Sequence, residues 1–249
     1  GSEPAGRSVA AIAGSEIKRV VLELGGSDPF IVMPSADLER AASVAATARL
    51  VNNGQSCIAA KRFIVHTDVY DRFAELFTAA LDAAVLGDPL DDTTTLGPLA
   101  TAAGRDELAE LVTDAVAKGA TVRTGGTVPD RTGFFYPATL LEGVDETMRL
   151  FQEEAFGPVA TLYRANDAAD ALRLANVTDF GLSSALWTTD PADEEFFVSR
   201  IDAGAVFING MTISYPELPF GGTKNSGIGR ELGAPRIWEF CNLKTAWKG

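Results

Sequence analysis

Short apolar runs of strand length alternate along this chain with longer stretches in which apolar residues recur every three or four positions. That alternation predicts a parallel sheet covered by helices, an α/β fold. Val20–Leu24 and Pro29–Met33 are two such runs, punctuated by Gly25, Gly26 and Asp28, and read as strand, turn, strand. Asp37 is a natural N-cap for an Ala-rich helix reaching Asn52. After a strand at Arg62–His66, the positions Val69, Phe73, Leu76, Phe77, Ala80, Leu81 and Ala84 keep a helical period until Gly87-Asp88-Pro89 breaks it. Leu108, Leu111, Val112, Ala115 and Val116 repeat the pattern before Gly119, which suits a helix C-terminus. Strands are then expected at Ala120–Arg123, Tyr136–Leu141, Val159–Tyr163, Ser184–Thr188 and Ala205–Asn209, with helices at Asp167–Ala175 and Ala192–Ile201. Trp238–Trp247 alternates bulky and polar residues and predicts an edge or exchanged strand that pairs outside the core.

At 249 residues the chain can bury one large core, and no apolar run approaches the length of a membrane span. Gly1–Gly14 lacks the apolar stretch of a secretory signal, so a cytoplasmic location is the expectation. The net charge of −13 repels a phosphate backbone and argues against nucleic acid as a partner. Cys57 and Cys241 are the only cysteines and His66 the only histidine, which argues against a disulfide framework and a zinc site. No G-x-G-x-x-G follows an apolar strand; Gly221–Gly222 and Ser226–Gly229 read as loop glycines.

Two residues attract chemical interest. Cys57 closes the stretch Asn53-Gly54-Gln55-Ser56-Cys57, a glycine-containing loop at a predicted helix end, where backbone N–H groups can stabilise a thiolate. Glu23 ends an apolar strand just before Leu24-Gly25-Gly26, a costly place for a carboxylate that is neither paired nor functional. Read alone, Cys57 is as well explained as a small buried hydrophobe, and Glu23 as one half of an ion pair.

Five segments in order resemble the aldehyde dehydrogenase superfamily: Gly1-Ser2-Glu3; Leu22 to Gly26; Asn53 to Cys57; Glu153-Glu154-Ala155-Phe156-Gly157-Pro158-Val159; and Pro219-Phe220-Gly221-Gly222 with Lys224, Ser226 and Gly227. Within it, Phe207 to Met211 and Tyr215 to Phe220 are most similar to bacterial succinate-semialdehyde dehydrogenases. The resemblance implies the catalytic half of an oxidoreductase that converts an aldehyde to an acid with NAD or NADP. Cys57 would be the nucleophile and Glu23 the base for thioester hydrolysis. Gly1, Ser2 and Leu24 would face the cofactor, Glu154 its nicotinamide ribose, and Phe156 its nicotinamide. Phe220 would wall the substrate tunnel, with Ser214 and Tyr215 as donors to a distal carboxylate. Many succinate-semialdehyde dehydrogenases carry an Arg where this chain has Val51. The implied organisation is a remnant of the dinucleotide-binding domain at residues 1–18, a catalytic domain at 19–231 and an oligomerisation segment at 232–249. A small aldehyde substrate and a homo-oligomer, dimer or tetramer, follow from the same likeness. The competing readings are a cofactor-free fragment or interaction module, and a cysteine-dependent ester hydrolase using Cys57 and Glu23 without redox chemistry.

Overall fold

The expected alternation takes shape in a computed structural model that describes residues 1–249. The strands are β1 (Leu22–Glu23), β2 (Pro29–Val32), β3 (Arg62–His66), β4 (Thr121–Thr124), β5 (Thr139–Glu142), β6 (Val159–Ala165), β7 (Phe180–Gly181), β8 (Ala185–Trp187), β9 (Phe207–Ile208), β10 (Thr223–Lys224) and β11 (Gly227–Ile228). The helices are α1 (Glu3–Ser15), α2 (Leu38–Leu50), α3 (Tyr70–Asp82), α4 (Ala102–Ala117), α5 (Arg149–Gln152), α6 (Ala168–Asn176), α7 (Pro191–Val198) and α8 (Arg236–Glu239). Seven strands form one sheet in the order β4-β5-β6-β3-β2-β8-β9, parallel except for the β4–β5 pair.

Side-chain alternation along the central strands sorts the core into two layers. Phe30, Val32, Phe63 and Val65 face α2 and α3, where they meet Ala41, Ala45, Phe73 and Phe77. Ile31 and Ile64 face the other way, into a layer with Leu111, Leu141, Tyr163 and Leu186. The alanines of α2 leave room for the Phe30, Phe63 and Trp187 rings, whose centroids lie 5.4 and 5.8 Å apart in successive pairs. Both faces of the central strands β2, β3, β6 and β8 are therefore dry, as their continuous apolar runs require.

Several expectations need correction. The run at Val20–Leu24 gives only Leu22–Glu23, which pairs antiparallel with Gly227–Ile228 in a separate ladder. The glycines at 226–229 are thus strand residues as well as loop ones: Gly227 has φ +142°, and a Cβ there would lie 1.9 Å from the Leu22 carbonyl oxygen. The helix from Asp37 stops at Leu50, because Asn52 and Asn53 turn into the left-handed region. The strand expected from Tyr136 starts at Thr139, since Pro137 has no N–H to give a ladder. Trp238–Trp247 forms no strand. It opens inside the short α8 and continues irregular and exposed, because a strand exists only through a paired neighbour and no edge in this chain meets it. Cys241 accordingly lies just past α8, where its thiol donates to the Ile237 carbonyl, and not in a strand. No helix is long and apolar enough to cross a membrane.

Candidate active site

Three loops that enter neighbouring parallel strands converge at one end of the sheet. Glu23 to Asp28 leads into β2, Cys57 to Lys61 into β3, and Glu154 to Pro158 into β6, and the register aligns Pro29 with Arg62 and Arg62 with Thr161. The candidate residues therefore collect at the amino-terminal ends of β2, β3 and β6.

The Cys57 loop owes its shape to three consecutive left-handed residues, Asn52, Asn53 and Gly54, with φ of +51°, +57° and +73°. Asn tolerates this conformation and Gly is required at the third position, because a Cβ on Gly54 would sit 2.4 Å from the Gly157 backbone. Asn53 fastens the loop by accepting from Gly97 N–H and donating to Pro98 O, while Gln55 accepts from Ala100 N–H. From below, the buried Arg49 guanidinium donates to Gly54 O and to Val159 O, joining the loop to β6. Burial pushes the half-buried Cys57 thiol up; Lys61 pulls it down, and Asp28 and Glu154 oppose Lys61. The resting thiol is thus less acidic than the sequence reading of a stabilised thiolate implies.

Glu23 stands on the facing wall. Both carboxylate oxygens are shielded from solvent and lack any hydrogen-bond partner. Burial pushes this carboxyl up to about 7, and the neighbouring Glu231 carboxylate pushes the same way. Its strand is held by β11 and by Ser226, whose buried hydroxyl donates to Gly25 O at 2.7 Å and accepts from Gly181 N–H at 3.0 Å.

Glu154 bridges the two walls. Its Oε1 accepts from Gly26 N–H at 3.1 Å and lies 3.2 Å from Lys61 Nζ. Its Oε2 lies over Gly25, where a Cβ would come within 2.5 Å. A cleft of about 610 Å³ is lined by Gly1, Ser2, Glu23, Leu24, Gly25, Gln55, Ser56, Cys57, Glu154, Phe156, Phe220 and Glu231. A thiol, two carboxyl groups of the sequence reading and an exposed aromatic ring thus share one cavity.

The profile of the Aldehyde dehydrogenase family matches residues 1–246. This chain belongs to the aldehyde dehydrogenase family. It is 61% identical over 249 residues to a succinate-semialdehyde dehydrogenase [NADP(+)] of Mycobacterium avium, covering 100% of this chain and 53% of that protein. It is 60% identical over 247 residues to succinate-semialdehyde dehydrogenase [NADP(+)] 1 of Mycobacterium tuberculosis, covering 99% and 54%. The crystal structure of succinic semialdehyde dehydrogenase from Streptococcus pyogenes in complex with NADP+ superposes with a TM-score of 0.93 at 38% identity, over 97% of this chain and 53% of that one. The chain spans about half the length of these relatives.

For an aldehyde dehydrogenase chain, the placement of the remaining candidates is uneven. Gly1, Ser2, Leu24, Glu154, Phe156 and Phe220 line the cleft with Cys57 and Glu23, whereas Ser214 and Tyr215 lie on an exposed loop and do not. Val51 borders a different, largely apolar hollow between α2 and α3. His66 closes β3, with Nδ1 accepting from Asp68 N–H, as expected of a polar strand end. Sequence reading missed the buried charges under the site: Arg49, Asp28, Lys61 and Arg62. Arg62 donates to Ser27 O and to Leu174 O and Ala175 O in the last turn of α6. The one available signal was three charged residues, Asp28, Lys61 and Arg62, at the starts of strands that are otherwise continuously apolar.

Proposed function

We propose that this chain is the catalytic half of an NADP-dependent aldehyde dehydrogenase that oxidises succinate semialdehyde to the acid. The observation that carries this reading is the sharing of one cleft by Cys57, Glu23, Glu154 and Phe156. The relatives' names supply the substrate and the cofactor.

The cofactor fits the residues present at its reactive end. Glu154 Oε2 is free of side-chain partners above the Cβ-less Gly25, and the Phe156 ring is exposed beside it, which suits a ribose and a nicotinamide respectively. At the mouth, the first N–H groups of α1 follow Ser2 and favour an anionic pyrophosphate. When bound, the cofactor supplies the hydride acceptor.

Cys57 attacks the aldehyde carbon as the thiolate, forming a thiohemiacetal. Its own N–H donates to no protein acceptor and is free to meet the developing oxyanion. Loss of hydride leaves a thioester on Cys57. Glu23, poised at about 7 and without a partner to satisfy, takes a proton from water, which attacks the thioester carbon and frees the acid and the thiol. The product is a carboxylate, and the thiol is regenerated for the next turnover.

The exposed Trp238, Phe240 and Trp247 of the tail would form an adhesive patch if left bare, which supports a homo-oligomer in which another subunit covers them. The test of the activity is succinate-semialdehyde-dependent reduction of NADP by the full-length protein, with Cys57→Ser as control. Absence of reduction with this and other small aldehydes would reject the reading. The 249-residue chain alone should bind NADP weakly in calorimetric titration, because the cleft offers contacts to the nicotinamide, its ribose and the pyrophosphate and to no more of the cofactor.

A further inference from the structure

Beneath the nucleophile lies a buried ammonium that the steps above leave unused. Lys61, at the entry to β3, is 3% exposed. Its Nζ lies 3.2 Å from Ser56 O, 3.0 Å from Cys57 O and 3.0 Å from Ala59 O, and 3.2 Å from Glu154 Oε1. An ammonium has three N–H groups, and the three loop carbonyls are enough to take all of them. Glu154 is therefore a fourth acceptor, held by charge and able to leave without orphaning a donor.

We infer that Lys61 is a positioning residue for Cys57: it gathers the carbonyls around the nucleophile onto one charged point and keeps that charge beneath the thiol, with Glu154 as a releasable counter-charge. The inference rests on the reading of Cys57 as nucleophile and Glu154 as the ribose acceptor. Its geometry is over-determined. The Cys57 carbonyl is packed inward, since a Cβ on Gly26 would sit 2.6 Å from it. The Ser56 carbonyl also turns to Lys61, so the Cys57 N–H, which lies opposite that carbonyl across a trans peptide, faces away from Lys61. The Lys61 backbone is fixed as well, its N–H donating to Asp28 O and its carbonyl accepting from Thr161.

The charges that act on Lys61 are Glu154 and Asp28, which stabilise the ammonium, and Arg49, which opposes it. Those acting on Cys57 are Lys61, which favours the thiolate, and Asp28 and Glu154, which disfavour it. At rest the Glu154 carboxylate masks part of the Lys61 field. When that carboxylate accepts from another donor, less of the field is neutralised, and the thiolate gains. Cys57 is thereby least reactive while the ribose site is vacant, which protects an oxidisable thiol between turnovers.

The measurement is the pH dependence of iodoacetamide alkylation at Cys57 in the intact 249-residue chain, read by peptide mass spectrometry. Lys61→Met should raise the midpoint by about one pH unit, slowing alkylation at neutral pH about tenfold, and Lys61→Arg should restore most of the rate. Glu154→Gln should move the midpoint down, making alkylation about threefold faster. A merely structural Lys61 would change the thermal midpoint in Lys61→Met without moving the pH profile, and that result overturns the proposal. If Lys61→Met does not fold, Lys61→Gln keeps a donor without the charge; its midpoint must rise, and an unmoved one is equally fatal. Alkylation of the unaltered chain at Cys241 in preference to Cys57 would instead reject the reading of the site itself.

Discussion

The two walls of the cleft are built on opposite principles. Around Cys57 almost every polar group is satisfied: Asn53, Gln55, Arg49 and Lys61 pin the loop to three separate elements. Across from it, Glu23 presents two shielded carboxylate oxygens with no partner. A nucleophile must be aimed, and hydrogen bonds to its backbone aim it without consuming its reactivity. A general base must want a proton, and every hydrogen bond to its charged form would reduce that appetite. The difference shows how one fold can hold a rigid and a destabilised group a few residues from the same end of the sheet.

Substitutions in full-length enzyme test this contrast most strongly. Cys57→Ser should lower aldehyde-dependent NADP reduction at least about a thousandfold, with no first-turnover burst. Glu23→Gln should lower the steady-state rate by about 10²–10⁴-fold while keeping a burst of reduced cofactor, because only the hydrolytic step needs the base. Stopped-flow absorbance separates the two, and loss of the burst in Glu23→Gln would break the division of labour between the walls. In the unaltered enzyme the hydrolytic step should quicken as pH rises through about 7, where Glu23 loses its proton.

Smaller effects should appear in stability. Ser226→Ala strands the Gly181 N–H and a Gly25 carbonyl lone pair and should cost about 1–3 kcal/mol in urea unfolding. Glu23→Gln should have the opposite sign. A carboxyl raised from 4.5 to about 7 in the folded state weakens folding once ionised; that penalty is absent below the unfolded value, grows between 4.5 and 7, and is complete above 7. The substitution should therefore stabilise the chain at pH 8 by about 1 kcal/mol, discounted for partial exposure, and by nothing near pH 4. A gain that persists at pH 4 would mean that packing, and not charge, is responsible. Smallest of all, ending the chain at Glu231 should leave the thermal midpoint of the core nearly unchanged while altering the particle mass in light scattering. A monodisperse monomer with and without the tail would refute its role in assembly.

Much of this was written in local sequence. Apolar runs of strand length and the Ala-rich helix after Asp37 need only period and capping to be read, and the strands they predict at β2, β3 and β6 are where they should be. The spacing from Asn53 to Cys57 and the Glu23-Leu24-Gly25-Gly26 turn carried the chemistry because the family likeness rests on consecutive residues. Boundaries slipped where a residue's conformation depends on a distant atom, as Gly227 against the Leu22 carbonyl or Asn53 against Gly97. The tail misled because alternation alone makes no strand without an edge to pair with.

What the sequence determined by itself is the main strands and helices of the core and the candidate reacting groups, since both follow from short-range pattern. Only the tertiary structure decided that three loops meet at the amino-terminal ends of β2, β3 and β6, and that Asp28, Arg49, Lys61 and Arg62 lie dry beneath them. The reason is physical: burial and electrostatic fields are sums over neighbours far apart in the chain. A Lys four residues after a Cys carries no mark of whether it faces water or the carbonyls of the cysteine's own loop.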